Sequence, residues 1–269
     1  MGQKALVTMS KLRFGKAGNK SMGEPVSSSQ AAESARGVLP LRHVAIIMDG
    51  NRRWAENRRL PKLKGHQEGV KSLKRLVRHV GALGLGYLTV YAFSSENWQR
   101  SSEEVSYLFE LFGRVLAEEF AELSDNNVRL SFLGQIKGVP PSLRASMEKS
   151  VAASAGNTGL NLQVAINYGS RLEITDAVKR LAEAVKAGQL QPEEITEEKI
   201  SEALYTGGMP DPELLIRTGG EMRLSNYLLW QSAYTEIFVT PTLWPEFTPE
   251  AFDQAIEEFS RRNRRWGGD

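Results

Sequence analysis

The sequence predicts an α/β fold with a mostly parallel central sheet flanked by helices. Two observations predict it. Short β-branched apolar runs alternate with longer segments of helical period, and polar, glycine-containing stretches follow directly on the apolar runs. The first is the pattern of repeated β-α units, which close most simply as parallel strands with right-handed crossovers and helices on both faces. The second matches where open parallel sheets bind ligands, outside the carboxyl ends of their strands.

Along the chain, residues 1–39 come first. They are rich in Ser, Gly, Ala and Lys, contain no acid before Glu24, and lack sustained periodicity, so they read as a flexible leader. A basic, acid-poor start is also a property of transit peptides, but this one has no clear amphipathic face and no apolar stretch of the secretory kind. The strands that follow are "HVAIIM", "YLTVYAF", "VRLSFLG", "LNLQVAINY", "ELLIRT" and "EIFVT". Between and after them, apolar spacing predicts helices over Val70–Leu83, Val105–Leu123, Leu143–Ala155, Arg171–Ala187, Glu197–Leu204 and Pro249–Arg264. No internal repeat or second linker interrupts residues 40–269, which read as one domain.

Composition narrows the chemistry. The 269 residues carry a formal charge of only +2, so an anion site must be built locally rather than by a global field. The chain has no cysteine, which excludes disulfides, thiolate metal sites and cysteine nucleophiles. No apolar run approaches a membrane span. The arginine-rich end, "RRNRRWGGD", lies in the last helical turn, where cations complement the macrodipole, and no nucleic-acid motif accompanies it, so no nucleic-acid partner is expected.

The strand ends carry the informative residues. After the first strand come Asp49, Gly50, Asn51, Arg52, Arg53 and Trp54; after the second, Ser94, Ser95, Glu96, Asn97, Trp98, Gln99 and Arg100. The fourth leads into Asn167, Tyr168 and Gly169, and the fifth into Arg217, Thr218, Gly219 and Gly220. Together they supply glycine, hydroxyl, amide, carboxylate and guanidinium groups to one sheet edge, which suits an anionic ligand. An aspartate among arginines at a phosphate site would repel the phosphate unless a divalent ion such as Mg²⁺ stood between them. The plainer alternative is that Asp49 caps the helix that follows.

Arg223 and Ser225 add a second anion grip beside Arg217, or else the arginines are surface ion-pair partners. His66, next to Lys62 and Lys64, is either a phosphate donor or a helix-start residue. For Trp98 the alternatives are a pocket wall and a core contact. The apolar face of Val105, Leu108, Phe109, Phe112, Val115 and Leu116 reads as core by default, although a tunnel for a long hydrocarbon has the same pattern. Neither GxxxxGK[ST] nor GxGxxG follows any strand, which argues against a nucleotide-binding fold.

In this order, "HVAIIMDGNRRWA", "KGHQEG", "YAFSSENWQR", "NYGSR", "IRTGGEMRLSNYLLWQSAYTE" and "LWPEF" resemble the motifs of the cis-prenyltransferases, of the undecaprenyl diphosphate synthase type, from about Leu41 to the C-terminus. The resemblance implies a catalytic domain with a hydrophobic tunnel and a homodimer. It implies an enzyme that adds isopentenyl diphosphate to an allylic diphosphate such as farnesyl diphosphate, with undecaprenyl diphosphate as the expected product. A product of another length and a non-catalytic subunit are the alternatives.

The implied roles are Asp49 and Glu236 for Mg²⁺, and Asp49 and Asn97 for catalysis, Asn97 assisting proton removal. Gly50, Asn51, Arg52, Arg53, Trp54, Lys62, His66, Ser94, Ser95, Glu96, Trp98 and Arg100 would surround the allylic substrate. Arg217, Arg223, Leu224 and Ser225 would hold isopentenyl diphosphate. A cytoplasmic enzyme with loose peripheral contact to a membrane is expected, a plastid enzyme being the alternative. Three positions depart from the common pattern: Arg52 and Ser170 stand where glycine is usual, and Lys62 where arginine is frequent. The DDxxD motifs of the trans-prenyltransferases are missing from the sequence.

Overall fold

The computed structural model describes residues 41–118 and 125–262. The expected leader, and the chain end from residue 263, lie outside the described residues. Six strands form one sheet: β1 (His43–Ile47), β2 (Tyr87–Ser94), β3 (Arg129–Leu133), β4 (Asn161–Tyr168), β5 (Leu214–Arg217) and β6 (Glu236–Val239). Their order is β3-β4-β2-β1-β5-β6, and every pairing is parallel. The chain first winds to one side of β1 and then crosses to place β5 and β6 on the other. The winding therefore reverses between β1 and β5, and a crevice opens there at the carboxyl edge.

The helices are α1 (Asn51–Asn57), α2 (Lys62–Ala82), α3 (Ser102–Glu118), α4 (Pro141–Ala153), α5 (Ser170–Lys186), α6 (Glu197–Ala203) and α7 (Pro249–Arg261). β1 is buried along its whole length, as a central parallel strand must be. Val44 and Ile46 pack with Leu76 and Val80 of α2 and Phe252 and Phe259 of α7 on one face. Ala45 and Ile47 join Leu215, Tyr168 and Tyr227 on the other. A third cluster seats Phe93 against Val105, Leu108 and Phe109 of α3 and Leu143 and Met147 of α4.

The expected strands are all present, and four of the expected helices match to within two or three residues where they are described. The expected start at Val105 lies three residues inside α3, and its expected end falls among residues outside the description. α2 differs most, beginning at Lys62 rather than Val70. Its first two turns, "KLKGHQEG", are basic and glycine-containing, so they show no apolar stripe. The glycines are there because α1 crosses closely: a Cβ on Gly65 would lie 1.9 Å from the Asn51 carbonyl oxygen, and one on Gly69 2.3 Å from Asn51 Oδ1. Indole Nε1–H of Trp244 donates to the Gly69 carbonyl at 2.9 Å, closing the same junction.

This packing makes a specific prediction. Gly65→Ala forces α1 away from α2 and should lower unfolding free energy by about 1–3 kcal/mol in a denaturant titration. Gly81→Ala, whose Cβ would meet nothing within 4 Å, should leave stability unchanged or slightly raised.

Candidate active site

Asp49 stands two residues beyond β1, and Arg217 is the last residue of β5, paired in register with Ile47. The crevice between these strands is closed by their side chains. Asp49 Oδ2 accepts from Arg217 Nη2 at 2.9 Å, and Asp49 Oδ1 lies 3.4 Å from Arg53 Nη2 one turn along α1. The Arg217 side chain is 4% exposed and that of Asp49 30%, so the pair is anchored from below and open to solvent on the carboxylate side. Such a buried guanidinium needs its anion, since an uncompensated interior charge is strongly destabilising.

Asp49 is not a helix cap. The capping position of α1 is Gly50, at φ 107°, and no side chain caps that end. Only glycine adopts this conformation readily, and Gly50 also lies against Leu243, which leaves no room for a side chain. Freed from capping, the Asp49 carboxylate turns to the arginines. Its backbone carbonyl is held by Thr218 Oγ1 at 2.7 Å and by the Trp244 N–H at 3.0 Å. Arg53 is braced by donation from Nη1 to the Gly219 carbonyl at 2.7 Å.

Around Arg217 the loop after β5 folds back. Arg217 Nη1 donates to Ser225 Oγ at 2.7 Å and to the Arg223 carbonyl, while Nε is buried without a partner. Ser225, Asn226 and Leu228 all have positive φ, a run of uncommon backbone for side-chain-bearing residues. Leu224 packs onto the cluster beneath, and Arg223 projects outward, paired with Glu221 at 2.6 Å.

The turn after β2 forms the opposite wall. Ser94 and Asn97 close a capping box, with the Ser94 N–H donating to Asn97 Oδ1 at 3.1 Å. Ser95 Oγ donates to Glu96, and Glu96 accepts from Asn226 Nδ2 at 2.8 Å, tying this turn to the loop after β5. Trp98 donates through Nε1 to Asn167 Oδ1 at 2.7 Å and sets its ring against Phe93 and Phe109, yet remains 43% exposed. It therefore serves as both core contact and surface wall.

A second cationic region adjoins the first. A cavity of about 470 Å³ is lined by Arg52, Lys62, Leu63, Arg100, Ser101, Glu103 and Glu104. His66 borders Glu104, with Nε2 3.4 Å from its carboxylate. Burial holds the His66 imidazole below its usual range, and the Arg100 charge adds to this, with the Glu104 carboxylate opposing both. Arg100 is itself pulled down by burial, opposed by the Glu104 carboxylate.

The structure thus brings together Asp49, Gly50, Arg53, Arg217, Arg223, Leu224 and Ser225 at one crevice. The Ser94–Trp98 turn forms its wall, and Arg52, Lys62, His66 and Arg100 gather beside it. The side chains of two further expected residues make contacts of their own. Trp54 lies under the Arg58 guanidinium, 4.4 Å from its ring centre, and Asn51 fills the α1–α2 junction, donating to the Met48 carbonyl at 3.3 Å.

Glu236 lies apart from this crevice within the chain. It opens β6 level with Leu214, at the amino end of the sheet, and its carboxylate pairs with Arg262 at 2.9 Å. Arg217 is three residues farther along β5, roughly 10 Å at the strand rise, so Glu236 and Asp49 do not share a metal site within one chain. Parallel pairing sends β5 and β6 the same way, which the sequence motif alone did not register. Sequence reasoning also passed over Glu104 and Asn226. The "SSEE" at the start of α3 reads as a capping signal, and only the fold reveals that Glu104 faces two guanidiniums and an imidazole.

The chain matches the family model described as putative undecaprenyl diphosphate synthase over residues 47–267. It is 52% identical over 227 residues to an isoprenyl transferase of Brucella abortus, covering 84% of this chain and 89% of the relative. An isoprenyl transferase of Heliobacterium mobile is 50% identical over 227 residues, with 84% and 87% covered. Among solved structures, lavandulyl diphosphate synthase from Lavandula x intermedia, in complex with dimethylallyl diphosphate, superposes with a TM-score of 0.82 at 35% identity, over 84% of this chain and 98% of that one. A probable undecaprenyl diphosphate synthase from Campylobacter jejuni gives 0.70 at 34% identity, with the same coverage. With its parallel sheet, its crevice between β1 and β5 and these relatives, the chain belongs to the undecaprenyl diphosphate synthase family of isoprenyl transferases.

Proposed function

We propose that this prenyltransferase adds isopentenyl diphosphate units to an allylic diphosphate, with farnesyl diphosphate as starter and undecaprenyl diphosphate as product. The observation that carries the reading is the half-open Asp49 carboxylate between Arg53 and a buried Arg217, with a separate cationic cavity beside it. Two anion-binding regions suit two diphosphates, and the single acid between them suits a metal-bridged one.

The donor set fits Mg²⁺. Among the described residues no group of three or more His, Cys, Asp or Glu side chains is placed to cage a metal. Mg²⁺ commonly takes one or two carboxylates and completes its shell with water and substrate phosphate oxygens, and Asp49 can offer one carboxylate. Bound there, the ion would neutralise charge building on the departing diphosphate. Glu236 is not part of this single-chain site.

The chain's own residues have the remaining tasks. Arg53, Arg52, Arg100 and His66 orient the allylic diphosphate, with Lys62 and the Ser94–Glu96 turn at its margin. Arg217, Arg223 and Ser225 hold isopentenyl diphosphate so that its alkene faces the allylic carbon. As the new carbon–carbon bond forms, the allylic carbon–oxygen bond breaks with its electron pair leaving on the diphosphate, and a proton passes from the condensed unit to that released diphosphate. Asn97, fixed by its bond to Ser94, orients the group that accepts it. Trp98 excludes water from one side, and the half-buried Phe112, Val115 and Leu116 of α3 offer apolar surface to the growing chain.

We also propose a homodimer in the cytoplasm that touches the membrane surface to release its lipid product. No helix among the described residues is long and apolar enough to cross a membrane. A second reading, a different product length, is favoured by the lavandulyl diphosphate synthase likeness, because the same fold there carries a much shorter allylic substrate.

Incubating the purified protein with farnesyl diphosphate, labelled isopentenyl diphosphate and Mg²⁺ should give a polyprenyl ladder ending at the undecaprenyl length, suppressed by EDTA. A ladder ending elsewhere replaces the product assignment, and no product from any short allylic starter rejects the enzyme reading. Asp49→Asn keeps an acceptor for Arg217, so the fold should persist. Its kcat should fall roughly a hundredfold to a thousandfold, with the response to added Mg²⁺ lost.

A further inference from the structure

Glu104 is a buried carboxylate that the reaction scheme above does not use. It occupies the third position of α3, after Ser101, whose Oγ accepts the Glu104 backbone N–H at 3.3 Å. In a complete capping box the acid would reach back to the backbone N–H of that serine. Here the carboxylate engages a different set of partners. Arg100 donates from Nη1 to Oε1 at 2.9 Å, His66 Nε2 lies 3.4 Å from the same oxygen, and Arg52 Nη1 is 4.0 Å from Oε2. Its side chain is 10% exposed, against 27% for Arg100 and 43% for Arg52. Two guanidiniums and an imidazole thus converge on this one buried carboxylate, which lines the cavity together with the exposed Glu103.

We propose that Glu104 is a positioning residue for the allylic diphosphate, holding Arg52, Arg100 and His66 in the arrangement that receives it. This rests on the cavity being the allylic site. The reasons are electrostatic and geometric. Two guanidiniums lining one cavity repel each other, and a shared buried anion removes that repulsion before substrate arrives. Each guanidinium carries five N–H donors and contributes one nitrogen to Glu104, which leaves donors for a diphosphate. The contact of His66 Nε2 with the Glu104 carboxylate at 3.4 Å holds the ring in one orientation. Arg52, which departs from the common family glycine, joins the same anion.

The test measures KM for farnesyl diphosphate and for isopentenyl diphosphate separately. Glu104→Ala should raise the allylic KM about tenfold and leave the isopentenyl KM within twofold. Glu104→Gln, which keeps the shape and one acceptor, should give an intermediate increase and serves if the alanine variant does not fold. Arg100→Met alone should also raise the allylic KM. In that background Glu104→Ala should lower it again, because a carboxylate that has lost Arg100 repels the diphosphate. A purely structural role would raise both KM values together, lower Tm and give no reversal, and that result would overturn the proposal. An unchanged allylic KM in Glu104→Ala and Glu104→Gln, with Arg100→Met still impaired, would also overturn it while leaving the site reading standing. An unchanged allylic KM in Arg100→Met would instead reject the cavity as the allylic site, and the role of Glu104 with it.

Discussion

The ion pair between Asp49 and Arg217 is the contact on which the rest of the site depends. It joins the ends of β1 and β5, the two strands between which the winding of the sheet reverses. Arg217 is buried, so its charge requires an anion at this place, and Asp49 is held to provide one by bonds from Thr218 and Trp244 to its carbonyl. The same guanidinium draws in Ser225 and the Arg223 carbonyl, which fixes the strained loop after β5. That loop in turn holds the turn after β2 through Asn226 and Glu96. From one salt bridge, contacts run to three of the four strand ends that build the crevice.

Glycines and aromatic residues make this arrangement sterically feasible. Gly50 turns the chain from β1 into α1 in a conformation that frees the aspartate from capping. Gly65 and Gly69 let α2 lie against α1, bringing His66 and Lys62 near Arg52. The cationic cavity is therefore a consequence of helix packing as much as of charge placement. Its buried acid, Glu104, comes from α3, whose Val105, Leu108 and Phe109 pack in the core beside Phe93.

Much of this was legible in the sequence. Alternating β-branched runs and helical segments are strong periodic signals, and with them comes the rule that polar residues after parallel strands share an edge. The positions of Asp49, Arg53 and Arg217 followed from that rule. Pairwise choices were not legible. Asp49 as a cap and Asp49 as an ion-pair partner have the same local sequence, and only the φ of Gly50 separates them. Glu236 has its metal role from the resemblance alone, and strand register puts it at the amino end of β6, apart from Asp49 of the same chain. The early start of α2 was hidden because close helix packing selects glycine, which erases the apolar pattern that marks a helix. Glu104 was hidden because its capping position explains an acid there without reference to distant cations.

On this reading, the crevice between β1 and β5 receives a diphosphate on arginines whose charge is balanced by Asp49. A crystal structure of the protein with Mg²⁺ and inorganic diphosphate tests it most directly. The anion should lie within hydrogen-bond reach of the guanidiniums at that crevice or the adjoining cavity, with the metal on the Asp49 carboxylate. Diphosphate at the amino edge of the sheet, or a metal bound away from Asp49, would contradict it.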